Sequence, residues 1–135
     1  MQIVVMVLLV LHVLPGVFWA GSTFVLARAG GAGAESLAYP QIGSATVSIL
    51  AGAGLWGVLH RGSFGTFEEV LALGIACAIA AAGLQSARSL PSVRRLASAR
   101  DAEISGLRGR IASAQRIAGA LLAVTVVTMV IARYV

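Results

Sequence analysis

The sequence predicts an all-α integral membrane protein, a four-helix bundle with an amphipathic cytoplasmic segment between its third and fourth helices. Three observations predict it. Hydrophobic residues make up 59% of the 135 and charged residues only 11%, whereas a soluble domain carries about 25% charge; mean hydropathy is +0.93. Four stretches, about 3–27, 42–59, 70–87 and 111–132, are apolar over close to the roughly 20 residues that a membrane crossing needs. The charge is also one-sided: all ten basic residues are arginine, and eight of them cluster at one side of those spans. A water-soluble globule, a disordered chain and a nucleic-acid binder all fit this composition poorly, so nucleic acid is not an expected partner. Residues 1–135 read as a single transmembrane domain.

The first span runs from about Ile3 to Ala27. Ala32-Gly33-Ala34 resembles a signal-peptidase site, but no Lys or Arg precedes the apolar run, and the run is longer than a signal-peptide core; the segment is expected to stay as a span. Arg28 to Pro40 is a Gly/Ala-rich connection, and Pro40 suits the first turn of the second helix because it lacks an N–H. His60 to Phe67 is a short turn, with Thr66 and Glu69 at capping-box spacing to start the third helix.

The arginines set the direction. Arg88, Arg94, Arg95, Arg100, Arg108 and Arg110 lie between the third and fourth spans, Arg116 just inside the fourth, and Arg28 beside the first connection. Only Arg61 and Arg133 lie opposite. The positive-inside rule then places the first and third connections in the cytoplasm and both termini outside. Within Pro91–Arg110, Val93, Leu96, Ala97, Ile104, Leu107 and Ile111 recur at helical spacing, while Arg94, Arg95, Asp101, Ser105 and Arg108 fall mainly on other faces. The segment reads as an amphipathic helix on the inner leaflet or as an extension of the fourth span. It can bind anionic lipid or a partner, or act simply as an orienting charge cluster.

Helices inside lipid are held by close backbone approach and polar contacts, so small residues are the packing signal. The second span offers Gly43, Ala51, Gly52, Gly54 and Gly57; the third Ala72, Ala76, Ala80 and Gly83; the fourth Ala112, Ala118 and Ala120. The lone Cys77 permits no internal disulfide and reads as a small buried thiol.

His12 is the main candidate functional residue. At 1.5 Å per residue it sits roughly 14 Å deep, near the middle of a hydrocarbon core about 30 Å thick. An ionisable group there is costly and reads as functional, and neutral imidazole is a common metal and haem-iron ligand; the plainer role is one hydrogen bond to a neighbouring helix. Pro15, Gly16, Trp19, Ser22 and Thr23 continue its stripe along one face. Pro15 should kink the helix and free a carbonyl near His12. Trp19 lies too deep for the outer aromatic belt and can line the inner half of a pocket, whereas Trp56, Tyr39 and Tyr134 near span ends suit interface anchors.

The order His12, six residues, Trp19, one residue, Gly21, with Phe24 and Arg28 after it, resembles the first span of the CopD-like group of small bacterial membrane proteins and the opening of HemJ-type protoporphyrinogen oxidases. Thr128-Met129 and Arg133-Tyr134 resemble the last span of small CopD-like members. The resemblance implies a bacterial inner-membrane protein that binds haem b or copper, with His12 in the position of the family's first-span His, and electron transfer or porphyrin handling as its role. Some ten residues carry it. The chain departs from the HemJ-type pattern in its third span, Val70 to Ala80, which has no His or Lys to serve as a second haem ligand.

Among other second ligands, His60 differs in depth from His12 by about 14 Å on the helix rise, and Met129, closer in depth, is a weak axial ligand or a gap-filling core residue. Five-coordinate iron and His12 of a second subunit are the alternatives. His60, Glu68 and Glu69 form a second candidate metal site at the outer turn, with no strong motif. Ser22, Ser44 and Ser63 lack His/Asp partners at telling spacing, and Gly30 to Gly33 lacks the Lys and strand of a phosphate loop. The three resulting expectations are a haem-b protein, a copper-handling protein disfavoured by scarce Met and Cys, and a non-catalytic subunit or scaffold, with the lipid bilayer and a homo-oligomer or other membrane subunits as partners.

Overall fold

The computed structural model describes residues 1–60, 62 and 64–135. Arg61 and Ser63, named above, lie outside the described residues. The protein is all-helical, with no strand among the described residues. Helix α1 spans Gln2–Arg28, α2 Ala34–Leu59, α3 Thr66–Leu84, α4 Leu90–Leu96 and α5 Asp101–Ile131; a π turn, Gln85–Ser89, fuses α3 to α4, and a 3-10 turn, Ala132–Tyr134, ends the chain. Four helical runs, with α3 to α4 counted as one, are long and apolar enough to cross a membrane.

α1 packs along α2, α3 packs along α5, and α1 meets α5, while α2 and α3 touch little. The four therefore form two hairpins joined at an α1–α5 seam. The buried residues of α2 recur at helical spacing over its full length, from Ala34 through Ala38, Gln41, Ala45, Ser48 and Ala51 to Leu55. In α1 they occupy only the last ten positions: Trp19, Ser22, Thr23, Leu26 and Ala27.

Several boundaries differ from the sequence reading for identifiable reasons. α2 begins at Ala34, so Pro40 lies inside the helix and not in its first turn. What starts α2 is the glycine run: Gly30, Gly31 and Gly33 all have positive φ. Gly31 is doubly required, because a Cβ there would meet the backbone oxygen of Arg108 at 2.8 Å and φ is +85°. Helix α3 is capped one residue earlier than Thr66: the Gly65 N–H donates to Glu68 Oε2 at 2.8 Å. The segment after the third apolar helix is not a separate helix: it comprises α4 and the first part of a 31-residue α5, about 46 Å long by helix rise, which continues into the fourth apolar run as the extension reading expects, and α4 packs on α5. Val93, Leu107 and Ile111 of the expected apolar stripe are buried, Leu96 and Ile104 half-buried, and Ala97 exposed. Pro91 explains the π turn before it: it supplies no N–H to the preceding turn and its ring crowds a carbonyl there, so the helix widens.

The small-residue stripes need correction as well. On α3 the packed stripe is Gly74, Ala78 and Ala81, on the opposite face from the expected one; Ala76, Ala80 and Gly83 are exposed and Ala72 half-buried. On α2, Ala51 and Gly52 are packing positions and Gly54 takes Leu8, but Gly43 and Gly57 have no neighbour. On α5, Ala112 and Ala118 are buried and Ala120 is exposed. Cys77 is half-buried.

Candidate functional site

The main polar feature of the interior is a layer that all four spans build together. Trp19, Ser22 and Thr23 come from α1, Gln41 from α2, Gln85 and Ser89 from the π turn, and Gln115 from α5; every one is buried, and the three glutamines are at most 1% exposed. Trp19 Nε1–H donates to Gln85 Oε1 at 2.7 Å. The Gln85 amide donates to Thr23 Oγ1 and to Gln115 Oε1, both at 2.9 Å. Gln41 and Gln115 exchange amide bonds at 3.2 and 3.0 Å. Gln41 also donates to Ser22 Oγ and Thr23 Oγ1, and Gln115 to Ser89 Oγ. The Ser22 and Thr23 hydroxyls then donate to the Trp19 carbonyl.

This layer sits between two apolar ones. Trp19, Ala45, Ala78, Ala81, Ala118 and Leu122 pack on one side of it, and Leu26, Ala34, Ala38, Val93 and Ile111 on the side nearer the arginines. A buried amide without partners costs about 1–3 kcal/mol. Here no side-chain polar atom of the layer is left without a partner. The layer contains no titratable group and no metal ligand. It can specify which four helix faces meet and in what register, and it cannot move a proton or hold iron.

Sequence reasoning placed Trp19, Ser22 and Thr23 on one face but missed Gln41, Gln85, Ser89 and Gln115. The available signal was amides inside or at the edge of apolar runs, where they act as interhelical glue. Attention to titratable groups passed over them.

His12 lies elsewhere, between α1 and α2 in the other half of the molecule. Its Nδ1–H donates to the Ser48 carbonyl at 2.8 Å, and the Ser48 hydroxyl returns a bond to the His12 carbonyl at 2.8 Å. A carbonyl can only accept, so Nδ1 carries a proton, and in the tautomer that this bond selects Nε2 is the acceptor. The ring rests on Gly52, where a Cβ would stand 2.9 Å from Cε1 and Nδ1. Gly16 serves the same contact: a Cβ there would come within 3.0 Å of Ser48 Oγ. Gly16 thus lets two helices approach and does not open a pocket. His12 is half-buried, and its Nε2 has no hydrogen-bond partner among the described residues and is not among the enclosed polar atoms.

The remaining candidates are dispersed. Met129 is half-buried on α5, near Thr125, whose hydroxyl donates to the Gly74 carbonyl at 3.0 Å. His60 ends α2 eight residues beyond Gly52, about 12 Å along the helix. Its ring stacks on Trp56, with centroids 4.8 Å apart, and on Phe67 at 5.2 Å. Glu68 is engaged in the cap of α3. Among the described residues no three His, Cys, Asp or Glu come together as a metal set.

Two neighbouring surface cavities of ≈530 and ≈500 Å³ lie at the arginine-rich end, and neither touches His12. Compared with models of known families, with characterised proteins and with solved structures, the chain has no match.

Proposed function

We propose that this protein is a non-catalytic membrane subunit or scaffold, completed through the His12 edge of α1 by another membrane chain, either a second copy or a different subunit. The observation that carries the reading is His12 Nε2. It is an acceptor expected at mid-membrane depth, its tautomer is set by the Ser48 carbonyl, and no group among the described residues satisfies it. Unsatisfied polar groups in hydrocarbon cost several kcal/mol, so a donor from outside the chain is the natural complement. On the flanks of His12, α1 presents large apolar side chains without cover, among them Leu9 and Val13. The polar layer supports the same reading, because its groups are consumed in holding the four helices together.

The test is purification in a mild detergent at two protein concentrations, with His12→Phe alongside. The wild type is expected to run as a homo-oligomer or with co-purified subunits, colourless and metal-free, and His12→Phe to release a folded, smaller species. A wild type that is monomeric and partnerless, with His12→Phe indistinguishable from it, overturns the reading.

One observation favours a second reading. A ring N–H donated to a backbone carbonyl is the usual second contact of a metal-ligating histidine, so haem b on His12 fits the ring itself. The surroundings fit less well: Gly16 and Gly52 are filled by Ser48 and by the ring, and no second ligand stands beside it. Haem there would be held by His12 alone among the described residues of this chain, with any further ligand supplied from outside it. A Soret band lost in His12→Ala separates this reading from the first. Copper has still less support, with a single nitrogen and no soft ligand set.

A further inference from the structure

The larger cavity lies between α4 with its preceding π turn and the first part of α5. Arg88, Ser92 and Arg95, spaced four and three residues apart, form one wall; Gly106, Arg110 and Ser113, spaced the same way, form the other. Each row is therefore one face of a helix, and the lack of a side chain at Gly106 leaves room between them. Three arginines are thus among the residues that line one cavity of ≈530 Å³. Among the described residues none of the three side chains makes an ion pair or a hydrogen bond; the ion pair found is Arg108 with Glu35, on a different face of α5. Arg94, next to Arg95, turns away and donates to the Tyr39 hydroxyl. One carboxylate, Glu103, shares the adjoining cavity with Arg95 and Arg110, but it makes no ion pair with either and its Oε2 accepts from the Arg100 N–H. Three like charges around one cavity with at most one nearby carboxylate repel one another, and an anion relieves that.

We propose that this groove binds a phosphate monoester or diester through Arg88, Arg95 and Arg110, and that the phosphate belongs to the headgroup of an anionic membrane lipid. Guanidinium forks match phosphate oxygens in pairs. Arg88 follows directly on the predicted end of the third span at Ala87, the level at which lipid phosphates lie, and basic pockets between helices at that level hold anionic headgroups. Exposed Ile117, four residues beyond Ser113 on the same face of α5, continues the groove's row toward the apolar run and gives acyl chains a surface to follow.

The experiment is a binding titration of the detergent-purified full chain with dioleoylphosphatidylglycerol, dioleoylphosphatidylcholine, glycerol 3-phosphate and inorganic phosphate, read by native mass spectrometry and calorimetry. The chains compared are the wild type, the triple variant Arg88→Gln, Arg95→Gln, Arg110→Gln, and Arg133→Gln at the opposite end. Saturable binding of one phosphatidylglycerol is expected, lost by about 100-fold in the triple variant and kept in Arg133→Gln, with phosphatidylcholine much weaker. If glycerol 3-phosphate or inorganic phosphate binds as tightly as the lipid with the same arginine dependence, the phosphate site stands and its lipid source is overturned. If the wild type binds none of the four saturably, or if Arg133→Gln weakens binding as much as the triple variant does, the site itself is overturned. Circular dichroism of the triple variant, whose three positions are exposed, verifies that its helices are intact.

Discussion

The half of the molecule near the arginines and the half near the His60 turn are held together by different physics. Near the arginines, four spans converge on a layer of amides and hydroxyls with an apolar layer on either side. Toward the turn, the helices are joined pairwise: α1 to α2 by His12 and Ser48, and α3 to α5 by Thr125 and Gly74. The first seventeen residues of α1, Gln2 to Phe18, contribute nothing to the buried interior. Water-driven burial cannot join helices within lipid, so the number of hydrogen bonds that cross between spans decides where the assembly is rigid. One half should define the fold, and the other should be free to accept something else against α1.

Gln115 is the most demanding test of that contrast, since it bonds Gln41, Gln85 and Ser89 at once. Gln115→Leu nearly conserves volume but orphans partners on two other spans. A loss of about 3 kcal/mol is expected, at the upper end for a buried polar group left unpaired. Thermal unfolding in detergent, followed by fluorescence, measures it, and Trp19 reports directly because its indole N–H is bonded within the same layer. An unchanged midpoint means that the layer does not organise the fold.

The next test asks which face of α3 is packed. At Gly74 a Cβ would collide with Thr128 Oγ1 and approach the Thr125 carbonyl at 3.4 Å, whereas at Gly83 it would meet nothing. Gly74→Val should cost about 2 kcal/mol, within the range for overpacking, and Gly83→Val should stay within about 0.5 kcal/mol. Equal effects in the same unfolding assay would mean that α3 and α5 do not meet through Gly74.

That pair also shows how far the sequence could be read. Length and hydropathy are summed properties, so four spans and the crowding of arginine at one end were legible from composition alone. The orientation of each helix about its axis was not. On α3, alanine and glycine occur on every face, and Ala72-Ala76-Ala80-Gly83 and Gly74-Ala78-Ala81 are equally small; only Gln85, one turn beyond Ala81, marks the second as the inward one. The stripe His12, Gly16, Trp19 was legible on α1, but not that it serves two purposes, with His12 and Gly16 lying on α2 while Trp19 enters the four-helix layer. Pro40 misled because a proline inside a membrane helix is tolerated where neighbouring helices satisfy the freed groups. The glycines at 30, 31 and 33 were the better boundary signal.

Ser48→Ala should produce the smallest effect and make the comparison quantitative. Ser48 is as buried as the polar layer, at 5% exposure, yet its hydroxyl makes one bond, to the His12 carbonyl. The return bond from His12 Nδ1–H ends on the Ser48 backbone and survives the substitution. A single interhelical hydrogen bond in a membrane protein is worth about 0.6 kcal/mol on average, so Ser48→Ala should lower stability by about that much, roughly a fifth of the expected Gln115→Leu loss. The two variants, compared in one detergent by one unfolding assay, divide burial from connectivity. If polarity in a dry interior sets the cost, both fall alike; if the number of spans tied together sets it, Ser48→Ala stays small and the pairwise-joined half keeps its fold with either one bond or two.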